Sequence, residues 1–143
     1  MKTTLSAMLT GLLLAGLAVA APAAHQKVQP FPGTLINARY VYVTSYEGGQ
    51  FDPNLRPEER QAIVAVQNAL QKWGKFILVY KPQEADMILV VDSYPSEDIL
   101  AVYDGHGWPR QNFLWRAMGP GGLQAGETPL LTELRQAFER AAK

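Results

Sequence analysis

The chain has 143 residues, of which 48% are hydrophobic and 18% charged, values typical of one globular domain and too apolar for a disordered chain. Thirteen Lys and Arg balance thirteen Asp and Glu, so there is no basic excess to neutralise a phosphate backbone, and we expect no nucleic-acid partner. The absence of cysteine excludes disulfides, thiolate metal sites, a cysteine nucleophile and an acylated cysteine.

The first twenty residues have the pattern of a secretory signal peptide. Lys2 supplies a positive charge, and residues 5–19 are almost wholly apolar. Small residues follow at Ala18 and Ala20, the two positions that a signal peptidase reads. We therefore predict a signal peptide over residues 1–20 and export to the periplasm or the exterior.

We place the cleavage between Ala20 and Ala21, with the stretch 21–23 as an alternative. A membrane anchor is the other function such a run can have, but roughly 15 apolar residues fall short of the roughly 20 that a span needs. We therefore expect no membrane anchor after processing. Residues 21–34 contain three prolines and little periodicity, which predicts a flexible tether before a single domain at 35–143.

The first predicted strand covers residues 35–46. Alternation places Val41 and Val43 on one face and the tyrosines on the other. Turn-forming residues at 47–54 end it.

A helix is predicted from Pro57, which suits the first helical position, to the residue before Gly74, which can adopt the left-handed conformation that ends a helix. Glu58 and Glu59 in the first turn suit the helix dipole. The apolar stripe predicted to face a sheet consists of Ile63, Val66, Leu70 and Trp73.

The remaining chain predicts four strands and a final helix. The strands are expected at 76–80, 86–92, 99–103 and 113–118, and Thr128 is expected to cap a helix that begins at Pro129. The order β-α-β-β-β-β-α predicts an α/β (α+β) fold, a two-layer sandwich with a mixed five-stranded sheet and both helices on one face. One crossover helix implies one parallel pair, and short links favour antiparallel neighbours afterwards.

Part of this pattern resembles small exported bacterial proteins of unknown function. It is more distantly similar to envelope α/β domains of curli-secretion lipoproteins and to the N-terminal domain of the Tol translocation protein TolB. The resemblance implies a fold, an envelope location and a role in binding or assembly, and it carries over no catalytic residue. It rests on the stretches 40–43, 55–62, 73–76 and 84–91.

If the strands after the second alternate in direction, the loops at 46–56, 81–85 and 104–112 share one edge of the sheet. That edge is the carboxyl end of the parallel pair, where α/β sheets usually bind ligands. A carboxylate and histidine cluster there would suit a metal or acid–base chemistry, whereas solvated loops are the alternative. The residues concerned are Glu47, Asp52, Glu84, Asp104, His106 and Trp108.

Tyr40, Tyr42 and Tyr46 share the face opposite the valines. If the helices cover the valine face, these tyrosines lie on an open sheet face, where Tyr46 is expected near Trp108. An exposed aromatic patch is typical of a binding surface, and a tyrosine ladder that stabilises the sheet is the alternative.

We therefore predict a non-enzymatic exported domain that binds an envelope protein, a peptide or a glycan. The predicted binding residues are Tyr40, Tyr42, Tyr46, His106 and Trp108, with no catalytic residue, metal or cofactor. The alternative is a small hydrolase or metal-dependent enzyme that uses loop residues around His106. The pattern makes no prediction of the oligomeric state.

Overall fold

The computed structural model describes residues 29–143, so the predicted signal peptide, its cleavage site and residues 21–28 lie outside the described residues. The described chain confirms the predicted order and the five-stranded mixed sheet. Its elements are β1 (Tyr40–Ser45), α1 (Pro57–Trp73), β2 (Ile77–Val79), β3 (Met87–Ser93), β4 (Asp98–Asp104), β5 (Trp115–Gly119) and α2 (Pro129–Ala141).

The sheet has the order β2-β1-β3-β4-β5, and β1 pairs in parallel with both β2 and β3. The expectation of a single parallel pair, with β3 antiparallel to its predecessor, is therefore wrong. Residues 80–86, which include a 3-10 turn at Pro82–Glu84, carry the chain past β1 to its other side. The physical reason is that β3 is apolar on both faces and takes the central position, where both faces are buried. The other two pairs, β3–β4 and β4–β5, are antiparallel.

Both helices cover one face of this sheet. The stripe residues Ile63 and Leu70 of α1 share one hydrophobic core with Leu134 and Phe138 of α2. The sheet contributes alternate residues to that core, among them Val41, Val43, Leu89, Val91, Leu100, Val102 and Trp115. The predicted two-layer arrangement with both helices on the same side is therefore confirmed.

The ends of the helices follow their sequence signals in part. Pro57 opens α1, and Gly74, with a φ of 73°, ends it by donating its N–H to the carbonyl of Leu70 at 3.0 Å. Pro129 opens α2, but the hydroxyl of Thr128 makes no capping hydrogen bond. Thr128 is therefore the N-cap residue of α2, as predicted, but it caps through its backbone carbonyl, which accepts the N–H groups of Leu131 and Thr132, and not through its side chain.

The chain before β1 belongs partly to the core. Phe31 is only 4% exposed, and its ring packs edge-on against Phe138 at 5.2 Å between centroids. The indole N–H of Trp115 donates to the Gln29 carbonyl at 3.0 Å. Leu35 is buried in a 3-10 turn at Gly33–Leu35, so the first strand begins at Tyr40 rather than at residue 35. Burial of two large apolar side chains stabilises this segment, and the core includes residues that the sequence assigned to the tether.

The strand directions place the loops at two edges. The ends of β1 and β3 form the carboxyl edge, which holds residues 46–56 and 94–97. The loop at 105–114 follows β4 at the opposite edge. Within residues 29–143, no helix has the length and apolar character needed to cross a membrane.

Candidate functional site

The face of the sheet that the helices leave uncovered, here called the open face, has a small core of its own. Ile88, Val90 and Ala101 are fully buried there although no helix of residues 29–143 covers them. Side chains from β1, β2 and the loop after β4 cover them, namely Tyr42, Val79 and Trp108. The open face is therefore an aromatic-covered surface rather than a solvated one.

Three aromatic side chains on the open face form a connected row. The hydroxyl groups of Tyr46 and Tyr103 are hydrogen-bonded at 2.7 Å, and their rings lie edge-on with centroids 6.5 Å apart. Trp108 packs edge-on against Tyr103 at 4.8 Å. Such edge-on contacts add stabilisation beyond the area they bury. We call Tyr42, Tyr46, Tyr103 and Trp108 the aromatic layer.

Trp108 reaches this layer because its loop lies flat against the backbone of another segment. The N–H of Gly105 donates to the Asp86 carbonyl at 2.8 Å. A Cβ at Gly105 would lie 2.0 Å from the carbonyl oxygen of Ala85, a distance no side chain can occupy. Glycine at this position therefore permits the close approach that brings Trp108 over the sheet.

The open face also presents side chains to solvent. Tyr40 is 39% exposed, Tyr46 49% and Met118 42%. Arg116 of β5 belongs to the same face, with its guanidinium 4.7 Å from the centre of the Phe113 ring. Burial and the hydrogen bond to Tyr103 raise the pKa of Tyr46 well above its ordinary value, so Tyr46 stays neutral and remains a hydrogen-bonding group.

The structure brings together only some of the predicted binding residues. Tyr46 and Trp108 share the aromatic layer through Tyr103, a residue that the sequence analysis did not single out. Tyr42 belongs to the same layer but is half-buried, and its hydroxyl lies against Gly49, where a Cβ would be 2.9 Å away. Tyr42 therefore supports the layer more than it presents itself to a partner.

His106 does not join these residues. Its side chain is 83% exposed, and its ring Nδ1 lies 3.2 Å from the Asp104 carboxylate, which also accepts the His106 backbone N–H at 2.9 Å. This is a local turn contact. The expected gathering of loops is wrong: β4 runs antiparallel to β3, so its loop lies at the edge opposite residues 46–56. Among residues 29–143, no group of three or more His, Asp or Glu is placed to hold a metal.

A second polar arrangement lies at the carboxyl edge, between the ends of β1 and β3. Glu59 of α1 is fully buried, and its Oε1 accepts the Ser93 N–H at 2.7 Å and an Arg56 N–H at 2.9 Å. Arg56 also binds Glu47 through Nε, at 2.8 and 3.0 Å. The Glu59 Oε2 finds no donor among the described residues.

The carboxyl group of Asp92, itself only 7% exposed, is a close neighbour of the Glu59 carboxyl group. Two carboxylates both accept, so a hydrogen bond between them requires a shared proton. Burial, followed by Asp92, raises the pKa of Glu59 to about 7. The Glu59 carboxyl group is thus largely protonated in mildly acid solution, but it is closed to substrate.

The burial of Glu59 has a signal in the sequence that the helix-dipole interpretation of the first turn did not use. Glu59 precedes Ile63, Val66 and Leu70 by four, seven and eleven residues, so it lies on the apolar stripe of its own helix. Glu58, one residue earlier, is exposed and fits the dipole reading.

In comparisons with known proteins, no family model, no curated protein and no solved structure matches this chain. The resemblance to exported envelope proteins stays a prediction.

Proposed function

We propose that this protein is a non-enzymatic binding module of the cell envelope, and that its open face binds an extended apolar segment of another envelope protein. The observation that carries the proposal is the aromatic layer, a connected row of Tyr46, Tyr103 and Trp108 on the sheet face that the helices leave free. The envelope location rests on the predicted signal peptide.

The side chains around the layer support a protein partner. Tyrosine, tryptophan and arginine are the residue types that dominate the energy of protein interfaces. The open face presents Tyr46, Met118 and Arg116, with the guanidinium of Arg116 against the ring of Phe113. Tyr46 is already fixed by Tyr103, so a partner would lose little side-chain entropy on contact.

A peptide suits this surface better than a glycan. Sugar rings stack on the flat face of an exposed aromatic ring, whereas Trp108 is half-buried and packs edge-on against Tyr103. Exposed apolar side chains such as Met118 favour an apolar partner instead.

Two features support a binding rather than an enzymatic role. The carboxyl groups of Glu59 and Asp92 are both buried away from solvent. His106 hydrogen-bonds the carboxylate of its own turn, and no group of three or more His, Asp or Glu within residues 29–143 is placed to hold a metal. General acid–base catalysis requires such groups within reach of a substrate proton.

The test is a selection of random peptides on the immobilised protein, together with a glycan array. We expect apolar peptides to be selected and to lose at least about tenfold in affinity on Tyr46→Ala or Arg116→Ala, as hot-spot side chains do. Val64→Ala is the control, because Val64 is 41% exposed on α1 in the other layer.

A glycan that binds in place of a peptide would contradict the choice of partner. Peptide binding that survives both open-face changes, or that Val64→Ala weakens equally, would contradict the choice of surface. Circular dichroism of each variant confirms that the fold is intact.

A further inference from the structure

A cavity of about 590 Å³ lies between α1 and α2, in the layer opposite the open face. Small residues of α1, Ala65 and Ala69, leave room there, and Leu131 of α2 and Trp73 at the end of α1 complete its apolar walls. Its volume falls in the range that small organic molecules occupy in proteins.

The charges that line this cavity are of one sign. Lys72 of α1 and Arg135 of α2 both border it, and no Asp or Glu is among the residues that line it. Arg135 uses its Nε to bind Glu139 at 2.8 Å, at the exposed side of α2. Its guanidinium carbon lies 5.7 Å from the centre of the Trp73 ring, another residue of the cavity wall, and the bond to Glu139 uses Nε rather than the terminal nitrogens.

Thr128 contributes a hydroxyl-bearing side chain to the lining of the cavity. The residue is only 6% exposed, yet its hydroxyl makes no capping hydrogen bond to α2. Its φ of 30° is in the left-handed region, which a β-branched residue rarely adopts. Such strained positions cluster where a protein binds ligands.

The donors of this cavity are side chains and not the start of a helix. The backbone N–H groups of Leu130 and Leu131 in the first turn of α2 are bonded to the carbonyls of Gly122 and Thr128. A ligand would therefore use Lys72, Arg135 and the Thr128 hydroxyl. Two cations and a hydroxyl around an apolar floor are complementary to an acidic group that carries a short hydrocarbon body.

We propose that this cavity is a binding site for a small organic anion, a carboxylate or a phosphate monoester with a short apolar chain. The acidic group pairs with Lys72 and Arg135 and accepts the Thr128 hydroxyl, and the chain rests on Ala65, Ala69 and Trp73. The site is separate from the open face and does not depend on its function.

The test follows the indole N–H signal of Trp73 by NMR while hexanoate or hexyl phosphate is added to the domain. Trp108 and Trp115 lie outside the cavity and serve as internal references. We expect a saturable shift of the Trp73 signal with at least one of the two anions, and the tighter one identifies the preferred acidic group. Hexanol keeps the hydrocarbon chain but lacks the acidic group, so it tests whether binding needs the charge. Acetate keeps the acidic group but lacks the long chain, so it tests whether binding needs the apolar body.

We expect Arg135→Gln and Lys72→Gln each to weaken binding about tenfold, the effect of losing one charge-assisted hydrogen bond. Arg140→Gln, on an exposed position of the same helix, is the matched control for a general loss of charge. Thr128→Ser keeps the hydroxyl and should retain binding, whereas Thr128→Val should weaken it.

The proposal is overturned if neither anion gives a saturable Trp73 shift. It is equally overturned if hexanol binds as tightly as the anions, or if Arg140→Gln weakens binding as much as Arg135→Gln. Unchanged Trp115 signals in each variant show that the core is intact.

Discussion

Glu59 has the most unusual environment of the ionisable residues described above. Its carboxyl group is fully buried, Ser93 and Arg56 donate to its Oε1, and the carboxyl group of Asp92 lies close by. Burial disfavours the charged form, and the nearby Asp92 carboxylate adds to that effect. The protonated form therefore stabilises the junction between α1 and β3.

This environment predicts a stability that decreases toward alkaline pH. The pKa of Glu59 is about 7 in the folded chain against 4.5 for an ordinary Glu. Between these values the folded protein keeps a proton that the unfolded chain has released. The contribution is full below pH 4.5 and is lost as the pH rises through 7. We expect a loss of about 2 kcal/mol across this pH range.

Urea unfolding at pH 5, 6, 7 and 8 measures this loss. Glu59→Gln supplies an uncharged amide that can donate to Asp92 at every pH, so this variant should lose the dependence in that window. Glu58→Gln, the exposed neighbour, should keep the wild-type profile. A wild-type stability that stays flat or rises between pH 5 and 7 would show that Glu59 is ionised throughout.

Gly105 gives a second prediction at the scale of one residue. A side chain there would collide with the backbone of Ala85, which cannot move as a flexible side chain would. We expect Gly105→Ala to cost about 1–3 kcal/mol, as overpacking does, and to displace Trp108 from the open face. Gly33→Ala is the control, because a Cβ at Gly33 meets nothing within 4 Å.

Thermal unfolding and the emission spectrum of Trp108 report the two effects. If Gly105→Ala and Gly33→Ala give the same melting temperature, the loop after β4 does not depend on that close approach.

At the scale of elements, α1 contacts the sheet and also contributes residues to the buried Glu59 site and to the cavity between the helices. Its inner stripe packs on β1 and β3, and its first turn holds Glu59 at the carboxyl edge. Its other flank provides Ala65 and Ala69 to the cavity shared with α2. Truncating a side chain of the inner stripe therefore weakens the core, whereas the small residues on the other flank leave room for the cavity.

The stripe of α1 predicts a clear difference between two truncations. Leu70 is 1% exposed in the core, so Leu70→Ala should lower the free energy of unfolding by about 2–5 kcal/mol. Val64 is 41% exposed on the same helix, so Val64→Ala should change it by less than about 0.5 kcal/mol. Chemical denaturation measures both. Equal changes in the free energy of unfolding would show that α1 does not pack one face against the sheet.

At the scale of the whole molecule, the two layers have different chemistry. One face of the sheet is closed by two helices over a large hydrophobic core, and the other is covered, among residues 29–143, by mainly aromatic side chains from strands and a loop. The second arrangement leaves polar and apolar edges of those rings in solvent. This asymmetry is why the proposed partner surface lies on the open face.

Export is the prediction that belongs to the full chain. Expressed in a bacterium, the protein should be recovered from the periplasm or medium with an N-terminus at Ala21. Ala20→Asp should block processing, because a signal peptidase accepts only small residues there. Full-length chain found only in the cytoplasm would contradict the predicted signal peptide.

Local sequence signals were sufficient to predict the helices and strands. The 3.6-residue stripe, Pro57 and Gly74 specify α1 because they act within the helix itself. The alternation around Tyr42 specifies β1 and the side on which its tyrosines lie. The same short-range physics predicted the element order and the two layers.

The strand pairing, the positions of the loops and the environment of Glu59 depend on contacts between residues far apart in the chain. The side of β1 on which β3 pairs depends on burial of both faces of β3, which no local pattern in residues 80–86 specifies. The positions of Phe31, Tyr103 and the Trp108 loop depend on partners far away in the chain. The raised pKa of Glu59 depends on the approach of Asp92 from another element. Hydrophobic periodicity identifies which residues become buried, but only the tertiary fold determines which residues they contact.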